Sequence, residues 1–507
     1  MKPPAVTLPL TLPLAGLLAG LLATPLARAD WPMPGHDPQR SSYSASDACT
    51  NCTSLKWSKN ISAMIPSRAQ LITVEGKNGT PDLLLVPTSE GVLALDPAGG
   101  AEKWSYKMDL PVGDAPAVVD GVVYVGGTDK TIHAVNLATG QKLWQTDEAG
   151  AAFYVSPLVV NGRVYAGSRD GYFYCFAAKD GVKPGVKAGG LLWFYKAGAP
   201  ISFSAAFQTY AEHPAGLVFF AAHDGFAYAL KADSGQLHWK SPRLPASRFS
   251  GYWPVVAGDR VLLASATHYP THDGTDLNGL ARDAGILFPD MNAVLQKVNA
   301  SPDKEKFFDL SSFTSYLDKY PERRSVYVLD RTTGQQKETA PFLWFGNPGG
   351  QRFPPAVDHR GYVWASSAFI TGFYAWGRLL VWKPGTKLAR PFPLIHDHCE
   401  AGDEPDSFSL VGTSLLLTAG GDGQDKAGFF PGALNLEDKS VALQSFMKTD
   451  YGANYSAGWK RRKYGNHFVP GGPWQGSVGW HGHQNAPVPL KGKMYFHRSN
   501  AVVCMGQ

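Results

Sequence analysis

The sequence predicts an all-β fold, an eight-bladed β-propeller, and three observations carry that prediction. A strand–turn–strand unit returns about every 40 to 50 residues, which marks a repeat architecture. The chain holds 55 glycines, 38 prolines and 14 tryptophans, with few stretches that sustain a helical apolar period. Its first β segment supplies a strand that the last repeat lacks. At 507 residues, one large ring is more economical than several small domains.

The clearest copy of the unit is KTIHAVNLATGQKLW, Lys130 to Trp144. Others are GVLALDPAGGAEKW (Gly91 to Trp104), FAYALKADSGQLHW (Phe226 to Trp239) and SVYVLDRTTGQQKE (Ser325 to Glu338). Alternating β-branched and aromatic residues supply a half-buried strand. Asp96, Asn136 or Asp330 then bonds the turn backbone, and in two copies a threonine, Thr139 or Thr333, stands three residues on. Gly140, Gly235 and Gly334 take a positive φ without a Cβ clash. Four residues later Trp144 or Trp239, like Trp104 in its own copy, is expected to lie flat between neighbouring sheets.

Read as strand, Asp or Asn, two residues, Thr-Gly, three residues, Trp, the unit resembles the repeat of the pyrroloquinoline-quinone (PQQ) type, quinoprotein-like β-propellers. The opening DWPMPGHDPQRSSYS, Asp30 to Ser44, is similar to the start of many such chains. This resemblance covers most of the chain and implies the fold. For activity it points two ways. The superfamily holds PQQ-dependent dehydrogenases and also cofactor-free, BamB-like proteins.

Residues 1–29 read as a secretory signal. Lys2 gives the charge, Leu8 to Leu26 a proline-interrupted apolar core, and Ala27-Arg28-Ala29 the cleavage site. The expected mature chain is one propeller over residues 30–507, periplasmic or secreted and monomeric, with no further run apolar enough to span a bilayer. No cysteine follows the cleavage site, so a lipoprotein anchor is not indicated. Without Lys2 and Arg28 the formal charge of +5 falls close to neutrality. That leaves no electrostatic case for nucleic acid.

Taken in order, blades 1 and 2 end at Trp104 and Trp144, blade 3 closes near Trp193, and blade 4 ends at Trp239. Blade 5 begins near Tyr252, is interrupted, and resumes at Ser325. Blade 6 runs from Phe353 to Phe392 and blade 7 from Phe408 to Phe446. Both are degenerate, which makes seven blades the runner-up. The final repeat, from Asn485, stops before its outer strand. With Thr53 aligned on the repeat glycine, Trp57 falls where Trp144 does, so Thr50 to Ser58 is expected to complete blade 8 and close the ring.

That alignment sets Cys504 at the Asp/Asn position and Cys52 at the threonine position, which touch across the turn. A Cys52–Cys504 disulfide is the expectation, with a Cys49–Cys52 bridge or no bridge as alternatives. Cys49-Thr-Asn-Cys52 is no haem attachment site, because Thr53 stands where histidine is required. The insertion, residues 268–324, is expected to carry short helices at Asp290–Val298 and Pro302–Tyr320 and to cap one face of the ring. A decoration without a ligand is the alternative.

Propeller axes collect the residues that lead into the inner strands, here Asp114, Tyr154, Phe203, Tyr252, Arg352, Asp406 and His483. Such a funnel suits a small molecule or an envelope protein, though the same residues can simply fill the tunnel. His396 with His398, and His481 with His483, have the i, i+2 spacing that lets two ligands share a face. Polar loops have the same composition, so no metal is assigned. The run Lys460 to Lys463 reads as a solvated loop.

By resemblance, a PQQ dehydrogenase clamps its quinone between a tryptophan and an adjacent-cysteine disulfide, beside a Ca²⁺ or lanthanide ion and a catalytic aspartate. This chain has no Cys-Cys pair. Tyr154, Tyr252, Trp253, Arg352, Trp474 and Trp480 remain candidates to hold a cofactor, with Asp406 as a base. The favoured reading is a non-catalytic binding or scaffold propeller of the cell envelope, with no cofactor. A PQQ- and Ca²⁺-dependent oxidoreductase of alcohols or sugars is the alternative. A carbohydrate-binding propeller using Trp474 and Trp480 is the third.

Overall fold

The computed structural model describes residues 30–46, 54–77, 79–246, 249–265, 307–342, 353–371, 374–391, 407–412, 414–420, 429–435, 485–498 and 500–506. They form eight separate antiparallel sheets, the eight blades of a propeller ring, so eight blades stand and seven do not. Blades 1 to 4 each carry four strands in sequence order from axis to rim; in blade 2 these are Ala117–Val119, Val122–Gly126, Ile132–Asn136 and Lys142–Gln145. Blade 5 is interrupted between its second strand, Arg260–Ala264, and its third, Val326–Asp330, as the sequence predicts.

The repeat turn works as its residues imply. The Asn136 carboxamide oxygen accepts from the Ala138 and Thr139 N–H groups, each at 3.0 Å. Asp330 does the same for Thr332 and Thr333, at 2.9 and 3.0 Å. Gly140 then adopts a φ of 71° and lies directly against the indole of the preceding blade: a Cβ there would stand 2.7 Å from Trp104 Cδ2. Gly100 meets Trp57, Gly189 meets Trp144, Gly235 meets Trp193 and Gly334 meets Trp239 in the same manner. Four of these indoles also donate to the next blade, at 3.1 Å from Trp57 to Pro97, 2.9 Å from Trp104 to Leu137, 3.2 Å from Trp193 to Ala232 and 2.6 Å from Trp239 to Arg331. These four seams are therefore latched by an apolar stack and a directed hydrogen bond.

The seam from blade 5 to blade 6 departs from this pattern. Glu338 pairs with Val328 where Trp239 pairs with Ala229, so a carboxylate stands in the indole's place. It accepts from the Gly385 N–H at 2.8 Å and from Arg260 Nε, while Arg260 Nη2 lies 3.3 Å from where a Gly385 Cβ would be. An ion pair has replaced the aromatic latch.

Ring closure follows the sequence reading. Ser54–Asn60 pairs antiparallel with Ala501–Gly506 and forms the outer strand of blade 8. The disulfide expectation is corrected. Cys504 is a buried free thiol. It pairs with Trp57 as Ala134 pairs with Trp144, so it occupies a mid-strand position two residues before the turn site. The Asp/Asn place falls to Gly506, and Cys52 lies outside the described residues.

The described end of the insertion is a wedge at the rim. Phe308–Asp309 adds an outer, fifth strand to blade 6. The helix Ser311–Lys319 then buries Phe313, Tyr316 and Leu317 in a core shared with Trp239, Tyr327 and Trp382. Among the described residues of the expected helix Pro302–Tyr320, α-helical geometry covers Ser311–Lys319, and a 3₁₀ turn follows at Pro321–Arg323. Residues 268–306, including Asp290–Val298, lie outside the described residues.

A further element has no counterpart in the repeat. Residues 31–44 run along the inner strands as a strap. Trp31 exchanges backbone bonds with Thr73 of blade 1. The carbonyls of Pro32, Pro38, Gln39, Ser41 and Ser42 accept from Val118, Phe207, Val256, Val357 and Leu410, in blades 2, 4, 5, 6 and 7. Tyr43–Ser44 finally pairs in parallel with Leu410–Val411. One segment stitches six inner strands, giving their edge amides acceptors they would otherwise lack.

Candidate functional site

The loops leading into the inner strands bring the axis residues together. Asp114 is buried, and its Oδ1 accepts from the Ala115 N–H at 2.7 Å. Burial pushes its pKa up to about 7, against the opposing pull of that hydrogen bond and of Arg40 and Arg68. Arg40, from the strap, is fully buried and donates to the Ala205 and Pro34 carbonyls. Desolvation lowers its pKa to about 10, although Asp37 and Asp114 oppose the shift. Arg40 Nη2 and Trp253 Nε1 have no partner among the described residues.

Trp253 and Tyr252 are 1% and 0% exposed. Phe353 meets both rings edge-on, at 6.1 and 5.5 Å, and Arg40 lies 5.9 Å over Trp253. A Cβ on Gly35 would come within 2.9 Å of Trp253 Nε1. Neither ring offers the open face that stacking a quinone requires. Phe203 is equally enclosed, against Phe249. Tyr154 is half-buried and carries the Arg169 guanidinium 4.1 Å over its ring.

Arg68 and Arg169 are additions that the sequence reading missed. Arg68 leads into blade 1 as Asp114 leads into blade 2, and lies 5.6 Å over Tyr252. Arg169 comes from the loop between the second and third strands of blade 3, and its Nε donates to Ser202 Oγ at 3.3 Å. A guanidinium lying over a phenol can pair with a carboxylate or phosphate through its N–H edge.

Arg352, Asp406, Trp474, Trp480, His396, His398, His481 and His483 lie outside the described residues. Among the described residues no three His, Cys, Asp or Glu side chains converge on a metal position. No helix there is long and apolar enough to cross a membrane.

Comparison with known proteins agrees with the ring of latched blades. A PQQ-repeat family model described as "Outer membrane protein assembly factor BamB" matches residues 88–336. The eight-bladed ring thus carries a segment of PQQ-repeat likeness over residues 88–336. This propeller is 28% identical over 210 residues to the outer membrane protein assembly factor BamB of Yersinia pestis, covering 38% of this chain and 49% of that protein. It thus spans about half the length of the BamB relatives it matches. A quinohemoprotein alcohol dehydrogenase of Comamonas testosteroni is 32% identical over 90 residues, covering 15% of this chain and 13% of the enzyme. The crystal structure of that enzyme superposes with a TM-score of 0.54 at 13% identity, covering 94% of this chain and 81% of the other, a likeness of fold.

Proposed function

We propose that this propeller is an exported, non-catalytic binding protein of the cell envelope. Its axis mouth holds an envelope protein through an anionic group. The observation that carries this reading is the match of residues 88–336 to the BamB family model. The axis chemistry is consistent with it, because Arg169 is exposed over Tyr154 while Trp253 and Tyr252 are enclosed. The signal at residues 1–29 and a periplasmic or secreted, monomeric protein belong to the same proposal.

A second reading, a PQQ- and Ca²⁺-dependent oxidoreductase, draws on the 90-residue likeness to the quinohemoprotein dehydrogenase. Among the named aromatic candidates it leaves Trp474, Trp480 or Tyr154 to supply the platform. Bound PQQ would supply the two-electron acceptor chemistry. The test for the first reading is site-specific photo-crosslinking from position 154 in intact envelopes. Crosslinks to an envelope protein that disappear with Arg169→Ala are expected. Their absence, with a chain that folds normally, would overturn the reading.

A further inference from the structure

The outermost strand of a blade presents an open edge, and exposed edges are commonly protected by charge. Blade 1 ends on Glu102–Lys107 (EKWSYK), blade 2 on Lys142–Gln145 (KLWQ) and blade 4 on Leu237–Lys240 (LHWK). Blade 5 ends on Gln336–Glu338 (QKE) and blade 8 on Ser54–Asn60 (SLKWSKN). In blade 3 the same place is held by Leu191–Lys196, LLWFYK, which runs five residues without a charge before Lys196. Leu191 is 45% and Phe194 57% exposed, two large apolar side chains on one strand where blades 2 and 4 expose one each, Leu143 and Leu237, and Phe194 meets Tyr172 edge-on at 5.5 Å.

This strand pairs inward with Tyr172–Ala177 and ends its sheet. The rim of blade 6 shows the alternative, since Phe308–Asp309 lies over that edge. The long turn before the blade 3 strand adds a charge signature. Lys179, Lys183 and Lys187 are exposed there and make no ion pair among the described residues, while Asp180 accepts from the Ala188 N–H at 2.8 Å. At the far end Lys196 lies 4.0 Å over the Tyr172 ring.

We propose that the blade 3 rim is a β-augmentation site, where an extended apolar segment of a partner protein, flanked by acidic residues, adds to Leu191–Lys196 as a fifth strand. Main-chain bonds would supply affinity, Leu191 and Phe194 the apolar contacts, and the lysines the preference for acidic flanks. The proposal rests on reading the chain as a binding propeller and gives one partner its chemistry.

The test uses the full chain and a synthetic peptide of alternating valine and threonine with glutamates at both ends. Hydrogen exchange should slow at residues 191–196 on peptide addition and stay unchanged at 102–107. Phe194→Lys should weaken the peptide on the order of tenfold with an unchanged unfolding midpoint. Leu191→Lys serves if the first variant misfolds. Unchanged exchange at 191–196, or wild-type affinity in a folded variant, would overturn the proposal. So would a concentration-dependent dimer that Phe194→Lys abolishes, because the edge would then belong to a second copy. Loss of peptide binding alongside persistent crosslinks from position 154 removes only the rim site. Peptide binding without those crosslinks removes only the axis reading.

Discussion

Five seams of this ring and the sixth solve the same packing problem with different chemistry. From blade 8 through blade 5, an indole lies beneath the turn glycine of the next blade. Between blades 5 and 6 the same place is filled by Arg260 and Glu338, beside the insertion helix Ser311–Lys319. An indole stack draws on apolar burial and resists salt, whereas an ion pair weakens with ionic strength. The contrast separates a rigid arc from a seam whose strength depends on conditions. Here that seam adjoins the insertion, which interrupts the repeat plan.

The largest effect is expected from breaking an aromatic latch. Trp104→Ala should cost about 3–5 kcal/mol in urea unfolding, with little change between low and high salt. A salt-sensitive loss would mean that the arc is held otherwise. The second effect concerns charge buried at the axis. Asp114 is raised in the folded ring to about 7, so the folded state binds its proton more tightly than the unfolded chain does. The stability this group contributes is complete below its ordinary value of 3.8 and is lost as pH rises through about 7. A shift of that size sets a ceiling of ~4 kcal/mol. Asp114→Asn should flatten the fall in stability between those values, measured as urea midpoints across pH. The smallest effect belongs to the ionic seam. Glu338→Gln should cost about 1–3 kcal/mol at low salt, and the difference from wild type should shrink near 1 M salt. An equal loss at both ionic strengths would erase the distinction between the seams.

Much of this comparison was legible in the sequence. The spacing from Asn136 through Gly140 to Trp144 placed the latch, whereas the ionic seam went unread because Ser325 to Glu338 reads as one more copy of the unit. Ring closure by Trp57 was legible for the same reason. The disulfide was misplaced because Cys504 was set two residues out of register: pairing puts it opposite the Trp57 indole, where blade 2 has Ala134 opposite Trp144. The strap was not legible. It binds through backbone carbonyls of Pro32, Pro38, Gln39, Ser41 and Ser42, which any residue type can supply. Arg169 was missed because it reaches the axis from a loop between strands, whereas the residues considered were those that lead into inner strands. The exposed Phe194 was visible as LLWFYK, but its exposure follows from the sheet ending there.

We propose that this propeller binds a partner and performs no quinone chemistry. The most direct test is calorimetric titration of the chain with PQQ in the presence of Ca²⁺, with absorbance recorded on the same sample. The account predicts no saturable heat and no quinone chromophore. Stoichiometric, saturable binding, with turnover of an alcohol or sugar by the loaded protein, would contradict it.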